Sequence, residues 1–296
     1  MALICFSKLY QAGINIVAAV PPAKTEPTYG YFMQYVGEYD VPIISYDNSL
    51  KDPNFISEIK KLDADIAVVC SYNKLFPNEF LEVTKDGFIN THPSLLPEYR
   101  GGNPYSHPII DGKKETGVSL HFMDENFDTG DIISQHKIPI DSQETMGTLF
   151  TKLNYVSADA LINALRFYEQ NSILPRVKQP EGNFKKAFAI DIKFGNNIID
   201  WSRSAAEVER FIRALNPFVS AFSRYNGEFL KIHTAYAQNK KTRYRPGTIC
   251  HVKDTVGVAC GEGVLHIKTM QIASYIMGDA NDFIRILKPK VGDRFE

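Results

Sequence analysis

Two stretches of this chain repeat one pattern, a helix-like segment followed by a short apolar run, and that alternation restricts the fold more than any other feature. Residues 2–12, ALICFSKLYQA, carry apolar positions at helical spacing and stop at Gly13. INIVAAV (14–20) then reads as a buried strand ended by Pro21-Pro22. DPNFISEIKKLD (52–63) is helix-forming after Asp52-Pro53, and ADIAVVCSY (64–72) is a continuous apolar strand. Strands alternating with helices predict an α/β domain with a parallel sheet. The next strands are expected at Gly87–Asn90 and Thr116–Met123, with a helix around Tyr105–Asp111 between them. A long helix from about Thr145 to Gln170 follows, its apolar stripe including Leu149, Leu153, Val156, Leu161 and Leu165.

Near Asn171 the pattern breaks. LPRVKQPEGNFKKAFAI (174–190) is polar, basic and Pro-bearing, the composition of a linker. The reading is therefore a domain over 1–173, a linker over 174–190 and a second domain over 191–296. The second domain opens with an amphipathic helix starting near Ser204. Short strands follow, with turns at Tyr225-Asn226-Gly227, Arg245-Pro246-Gly247 and Gly261-Glu262-Gly263. Short β segments at this spacing predict a small β-barrel.

Charge excludes little. With 33 Lys plus Arg against 34 Asp plus Glu the net charge is −1, so there is no overall bias toward nucleic acid or a membrane surface. Cys5, Cys70, Cys250 and Cys260 form no CxxC pair and read as reduced thiols, which fits the cytoplasm. No run of about 18 uncharged apolar residues exists, and no signal-peptide pattern opens the chain, so neither membrane insertion nor secretion is expected. HExxH, paired CxxC, GxGxxG and P-loop patterns are all missing, so no metal or dinucleotide is expected.

The segment Gly87–Asp131 concentrates the chemistry. GFIN ends in Asn90-Thr91-His92-Pro93, and residues two apart on a strand share a face, so the Asn90 amide and the His92 imidazole converge at a strand end. The second strand delivers the carboxylate loop Asp124–Asp131, and loops at strand ends are where an open α/β sheet carries its chemistry. Asp128 competes there with Asp124, Glu125 and Asp131, of which Asp131 suits a loop brace. His107, His121 and His136 read as structural or peripheral, His121 because it lies within a strand.

NTHPSLLPEYRGGNP followed by ETGVSLHFMDENFDTGDII resembles the formyltransferase family that includes methionyl-tRNA and amino-sugar formyltransferases. The N-x-H, SLLPxYRG and D-x-G-D elements fall in order and at matching spacing. IDWSRSAAEVERFIRALNPF with AFSRYNGEFLKI is similar to the family's C-terminal domain, so the likeness covers essentially the whole chain. It implies a Rossmann-like formyltransferase domain followed by a small OB-like barrel, with 10-formyltetrahydrofolate as cosubstrate and a primary amine as acceptor. The family begins with a strand and a small-residue turn ahead of this opening helix. The resemblance thus implies a first strand outside these residues, and an inactive or folate-binding truncated relative as an alternative to an enzyme.

By resemblance, Asn90, His92 and Asp128 are the catalytic residues. The Asn90 amide and a protonated His92 suit a developing oxyanion, and Asp128 suits orienting His92 and receiving the amine's proton. A neighbouring carboxylate is expected to keep His92 charged near neutrality. Leu75, within SYNKLFP (71–77), and the backbone of Asp124–Phe127 are expected to hold the folate. Arg100 is expected at the acceptor, joined by Lys240, Lys241 and Arg243 of NKKTRYR (239–245) if the acceptor is RNA. That basic loop favours initiator methionyl-tRNA. Pro21–Asp40, with Lys24 as its only base, favours an amino-sugar nucleotide.

Overall fold

Helix α1 (Ala2–Gln11) is followed by α2 (Tyr29–Val36), α3 (Pro53–Lys60), strand β1 (Ala67–Cys70), α4 (Asn78–Leu81), β2 (Phe88–His92) and β3 (Arg100–Gly101). Next come α5 (His107–Ile110), β4 (Glu115–Phe122), β5 (Ile132–Pro139), α6 (Met146–Asn171) and β6 (Lys186–Ala187). After a 3-10 turn the chain continues through α7 (Ala205–Leu215), β7 (Ala221–Tyr225), β8 (Glu228–Gln238), β9 (Ile249–Val252), β10 (Val256–Ala259), β11 (Val264–Ile272), β12 (Ile276–Asp279) and α8 (Ala280–Leu287). These elements come from a computed structural model that describes every residue except Asn48, Asn73 and 273–275. The chain divides into two compact units. The first holds Met1–Pro104, Thr116–Ile138 and Thr151–Ala187, and the second Tyr105–Glu115, Pro139–Phe150 and Phe188–Glu296.

The first unit is built on the sheet β1-β2-β4-β5. β1 and β2 run parallel with Ala67 beside Phe88, as strands flanking a helical connection do. β4 lies antiparallel to β2, placing His121 opposite Asn90 and Ser119 opposite His92. The sheet is thus mixed. Ile89 and Leu120 point to one face, where Cys5, Leu9, Ala158 and Leu161 of α1 and α6 cover them. Phe88 points to the other face, into an aromatic cluster with Phe55, Phe76 and Phe80. Asn90 and His92 alternate with Ile89 and Thr91 and so share the Phe88 face, as the period of two requires.

Residues 14–20 depart from the expected strand. Among the described residues their one bridge is Ala19 with Ile43, formed by the Ala19 N–H to the Pro42 carbonyl (2.8 Å) and the Ile44 N–H to the Ala19 carbonyl (3.0 Å). Pro42 has no N–H, and Pro21 and Pro22 follow at once, so neither segment can extend the ladder. α6 begins and ends within one residue of its expected bounds, with Leu149, Leu153 and Leu161 fully buried.

In the second unit Ser204 starts α7 through a reciprocal capping box with Glu207. The antiparallel sheet runs β7-β8-β11-β10-β9, with β12 on β11. Asn226 and Gly227, at φ 49° and 83°, make the two-residue turn from β7 to β8. Residues 292–296 link the sheet's two margins: Glu296 exchanges both backbone bonds with Arg224, while Gly292 and Asp293 bond Ile249. This gives the expected barrel-like ring, filled by Trp201, Val208, Ile212, Leu230, Ile267 and Phe295. Among the described residues no helix is long and apolar enough to cross a membrane.

The cap carries a measurable share of the second unit's stability. Ser204→Ala is expected to lower unfolding stability by about 1 kcal/mol, read by urea denaturation, because it leaves an N-terminal N–H of α7 unpartnered.

Candidate active site

The β2–β4 register brings Asn90, His92 and His121 together, and the loop after β4 adds Asp128. Asn90 Nδ2 lies 3.1 Å from His121 Nε2. His121 Nδ1 lies 2.8 Å from the Phe122 carbonyl oxygen, which only accepts, so Nδ1 carries the proton of the neutral ring and Nε2 accepts from Asn90. One amide N–H of Asn90 is thereby used and the other remains to donate. His92 repeats the logic with the nitrogens exchanged. Its Nε2 is 2.9 Å from the Tyr99 carbonyl oxygen, leaving the Nδ1 lone pair toward Asp128 Oδ1 at 3.4 Å. His121 Nε2 is 3.7 Å from the same oxygen.

Asp128 reaches this position from a backbone in the left-handed region, φ 57°, a conformation Asp tolerates better than most residues. Its other oxygen, Oδ2, accepts the Gly101 N–H at 2.9 Å. Two residues on, the loop passes so close to β4 that a Cβ on Gly130 would sit 2.0 Å from the Phe122 carbonyl oxygen. Asp124 closes the loop by accepting the Thr129 hydroxyl at 2.6 and 2.8 Å and the Asn126 N–H at 3.0 Å. Asp124 is therefore a brace of this loop.

Protonation follows from burial. Desolvation pushes His92 below its ordinary 6.5, outweighing the opposing pull of Asp128 and of the Tyr99 carbonyl. The expectation of a charged His92 near neutrality is thus reversed: its side chain is 6% exposed, and water loss dominates one carboxylate. Asp128 is held down at about 2, because His121, His92 and the Gly101 N–H outweigh the desolvation that would raise it. Near neutrality the cluster presents an ionised Asp128 carboxylate facing the Nδ1 lone pair of His92.

Beside this polar end lies a pocket walled by Tyr72, Leu75, Phe76 and Phe127, with Asn90, His121 and Asp128 among its lining residues. Leu75 and Phe127 are half exposed, at 49% and 51%, so apolar surface is held in water next to the polar cluster. Asp124 also lines the pocket, though its carboxylate is committed to the loop. Asn73, inside the expected folate segment, lies outside the described residues.

Arg100 does not approach the cluster as a free cation. Its Nε and Nη2 donate to Gln179 Oε1 at 3.1 and 2.5 Å. Lys240, Lys241 and Arg243 lie in the second unit, exposed in the loop after β8. His136 meets Ser134, and His107 belongs to the second unit. Two site residues escaped the sequence reading. His121 was detectable only through an antiparallel register, and Gln179 sits in the stretch that reads as a linker. Among the described residues no group of three His, Cys, Asp or Glu side chains is placed to hold a metal.

Comparison with known proteins places the chain. Residues 14–165 match the family described as formyl transferase, and residues 191–288 match formyl transferase, C-terminal domain. The chain belongs to the formyltransferase family. The expectation of a formyl-transferring enzyme with this two-part α/β and β architecture is borne out. It is 32% identical to the methionyl-tRNA formyltransferase of Clostridioides difficile over 94% of both chains. Among solved structures, an N-formyltransferase from Helicobacter canadensis, in complex with folinic acid and dTDP-3-aminofucose, shares the fold at TM-score 0.67 and 20% identity, over 90% of this chain and 94% of that one. HypX from Aquifex aeolicus shares it at TM-score 0.62 and 16% identity. That match covers 94% of this chain and 49% of the HypX chain.

The protonation state of His92 is directly testable. Imidazole NMR should give a titration midpoint below 6.5, and Asp128→Asn should lower it further by removing the charge that favours the imidazolium. A midpoint above 6.5 would overturn the dominance of burial. Because the folded value is depressed, the His92 contribution to stability is complete above about pH 6.5 and is lost as pH falls through the lowered value.

Proposed function

We propose that this formyltransferase moves the formyl group of 10-formyltetrahydrofolate to the amine of methionine on initiator tRNA. The observation that carries the acceptor is the end-to-end relation, 94% of both chains, to a methionyl-tRNA formyltransferase. The exposed Lys240, Lys241 and Arg243 of the second unit supply charge suited to a phosphate backbone.

The lining of the pocket suits one end of the cosubstrate in chemical character. Leu75, Phe76, Phe127 and Tyr72 offer apolar walls for a flat ring system, while Asn90, His121 and Asp128 make its polar end. When bound, 10-formyltetrahydrofolate supplies the formyl carbonyl. Asn90 donates its remaining amide N–H to the formyl oxygen, and its other N–H stays on His121 Nε2 and fixes the amide plane. A donor of this kind contributes about 2.7 to 4 kcal/mol to transition-state stabilisation.

His92 and Asp128 manage the proton. The Nδ1 lone pair and Oδ1 stand 3.4 Å apart with no proton assigned between them, so one proton from the attacking amine has two acceptors at one place. Asp128 then stabilises the imidazolium it faces, the proton held there would pass to the folate nitrogen as its bond to the formyl carbon breaks, and Nε2 keeps its bond to the Tyr99 carbonyl. Water exclusion strengthens both effects, since His92 and Asp128 side chains are 6% and 11% exposed.

A second acceptor has its own support. Lys24, the only base in Pro21–Asp40, is paired with Asp47 at 2.6 Å, so that segment offers no free cation to RNA and suits a nucleotide-linked amino sugar. The reading places the enzyme in the cytoplasm, consistent with four free cysteines and with methionyl-tRNA as acceptor.

Formyl transfer from 10-formyltetrahydrofolate should be measured on methionyl-tRNA and on amino-sugar nucleotides in parallel. Transfer to methionyl-tRNA is expected. Transfer confined to the sugars reassigns the acceptor, and no turnover on any amine sinks the catalytic reading. Asn90→Ala should lower kcat at least tenfold, and about 100- to 1,000-fold if the full donor effect is realised. Asp128→Asn, which tolerates the same backbone, should lower it at least tenfold with the fold retained. Wild-type rates in both would remove these residues from the mechanism.

A further inference from the structure

We infer that Gln179 is a positioning residue whose one amide group locks the Asp128 loop to the Arg100 strand, making residues 174–187 part of the catalytic frame. The inference rests on the formyl-transfer reading for its kinetic consequences. Its structural basis is independent of the acceptor.

Gln179 Nε2 donates to the carbonyl oxygens of Asp128 at 2.9 Å and Gly130 at 2.8 Å. Its Oε1 accepts from Nε and Nη2 of Arg100. Two donors and two lone pairs are all that a glutamine amide possesses, and all four are used. The segment around it is fastened on both sides. Val177 exchanges both backbone bonds with Ile132 at 2.8 and 3.0 Å, and the Arg176 guanidinium lies 3.4 Å from the Phe122 ring centre. Lys185 accepts the Tyr99 N–H at 2.6 Å, and β6 pairs with β3, so that Ala187 lies beside Gly101.

The Asp128 loop needs such an anchor. Its backbone is left-handed at Asp128 and pressed against β4 at Gly130, so the carbonyls of both residues lie off any strand ladder. Gln179 supplies their donors. It thereby sets two distances at once: Asp128 Oδ1 to His92, and Asp128 Oδ2 to the Gly101 N–H of the strand that carries Arg100. A linker needs only length, and none of these contacts would be required of one.

Two variants separate positioning from folding. Gln179→Met keeps length and volume but removes every bond. Gln179→Glu keeps acceptors for Arg100 and removes both donors to the loop. Each is compared with wild type for kcat and KM on methionyl-tRNA and folate, for thermal midpoint, and for amide hydrogen exchange at Gly101. In both variants kcat should fall ten- to 100-fold, KM for the folate should change less than threefold, and Gly101 exchange should quicken at least tenfold. The thermal midpoint should hold within a few degrees. Wild-type kcat and wild-type Gly101 exchange in Gln179→Met overturn the inference, as does full activity in Gln179→Glu. If Gln179→Met does not fold, Gln179→Glu decides by the same readouts. A wild-type protein that transfers no formyl group defeats the functional reading alone, and Gly101 exchange still decides the role of Gln179.

Discussion

The antiparallel register of β2 on β4 is the constraint from which the site follows. It sets Asn90 opposite His121, and the resulting bond fixes which amide hydrogen is spent and which faces the pocket. Slipping β2 by one residue would turn Asn90 and His92 into the α6-facing layer and put Ile89 and Thr91 in their place, and slipping β4 would do the same to His121. The apolar layer of Ile89, Leu120 and Leu161 opposes any such slip, because burying an amide and an imidazole there without partners costs several kcal/mol. Packing on one face of the sheet thus secures chemistry on the other.

Charge in the site is settled by water rather than by proximity. His92 and Asp128 are neighbours of opposite titration type, and proximity alone would make an ion pair of them. Burial disfavours the imidazolium more than one carboxylate favours it, and the tautomer set by the Tyr99 carbonyl then turns a lone pair toward the carboxylate. A cluster short of one proton results. Such a cluster is suited to receiving a proton from a departing N–H bond, where a preformed ion pair has its acceptor already filled.

Much of the fold was legible in local pattern. The shared face of Asn90 and His92, the cap at Ser204, the Asn226-Gly227 turn and the length of α6 all rest on residue periods or on φ requirements within a few positions. The remainder depends on partners distant in sequence. An alternating strand reads the same whether its neighbour is parallel or antiparallel, so His121 could not be paired with Asn90 from its own segment. Residues 14–20 form a strand-like apolar run, but a ladder needs N–H groups on the facing segment, and Pro42 removes one. Gln179 lies among lysines and prolines, where polarity signals solvent, and its four bonds come from residues about 50 and 80 positions away. The charge on His92 was misread because burial is a property of the assembled sheet.

The left-handed backbone at Asp128 has an evolutionary corollary. A side chain in that conformation costs on the order of 1 kcal/mol, and glycine would relieve it with a single small replacement while deleting the carboxylate. On the proposed role of Asp128, backbone relaxation and turnover draw selection in opposite directions at this one codon, and a chain released from formyl transfer would have an easy route there to a relaxed loop.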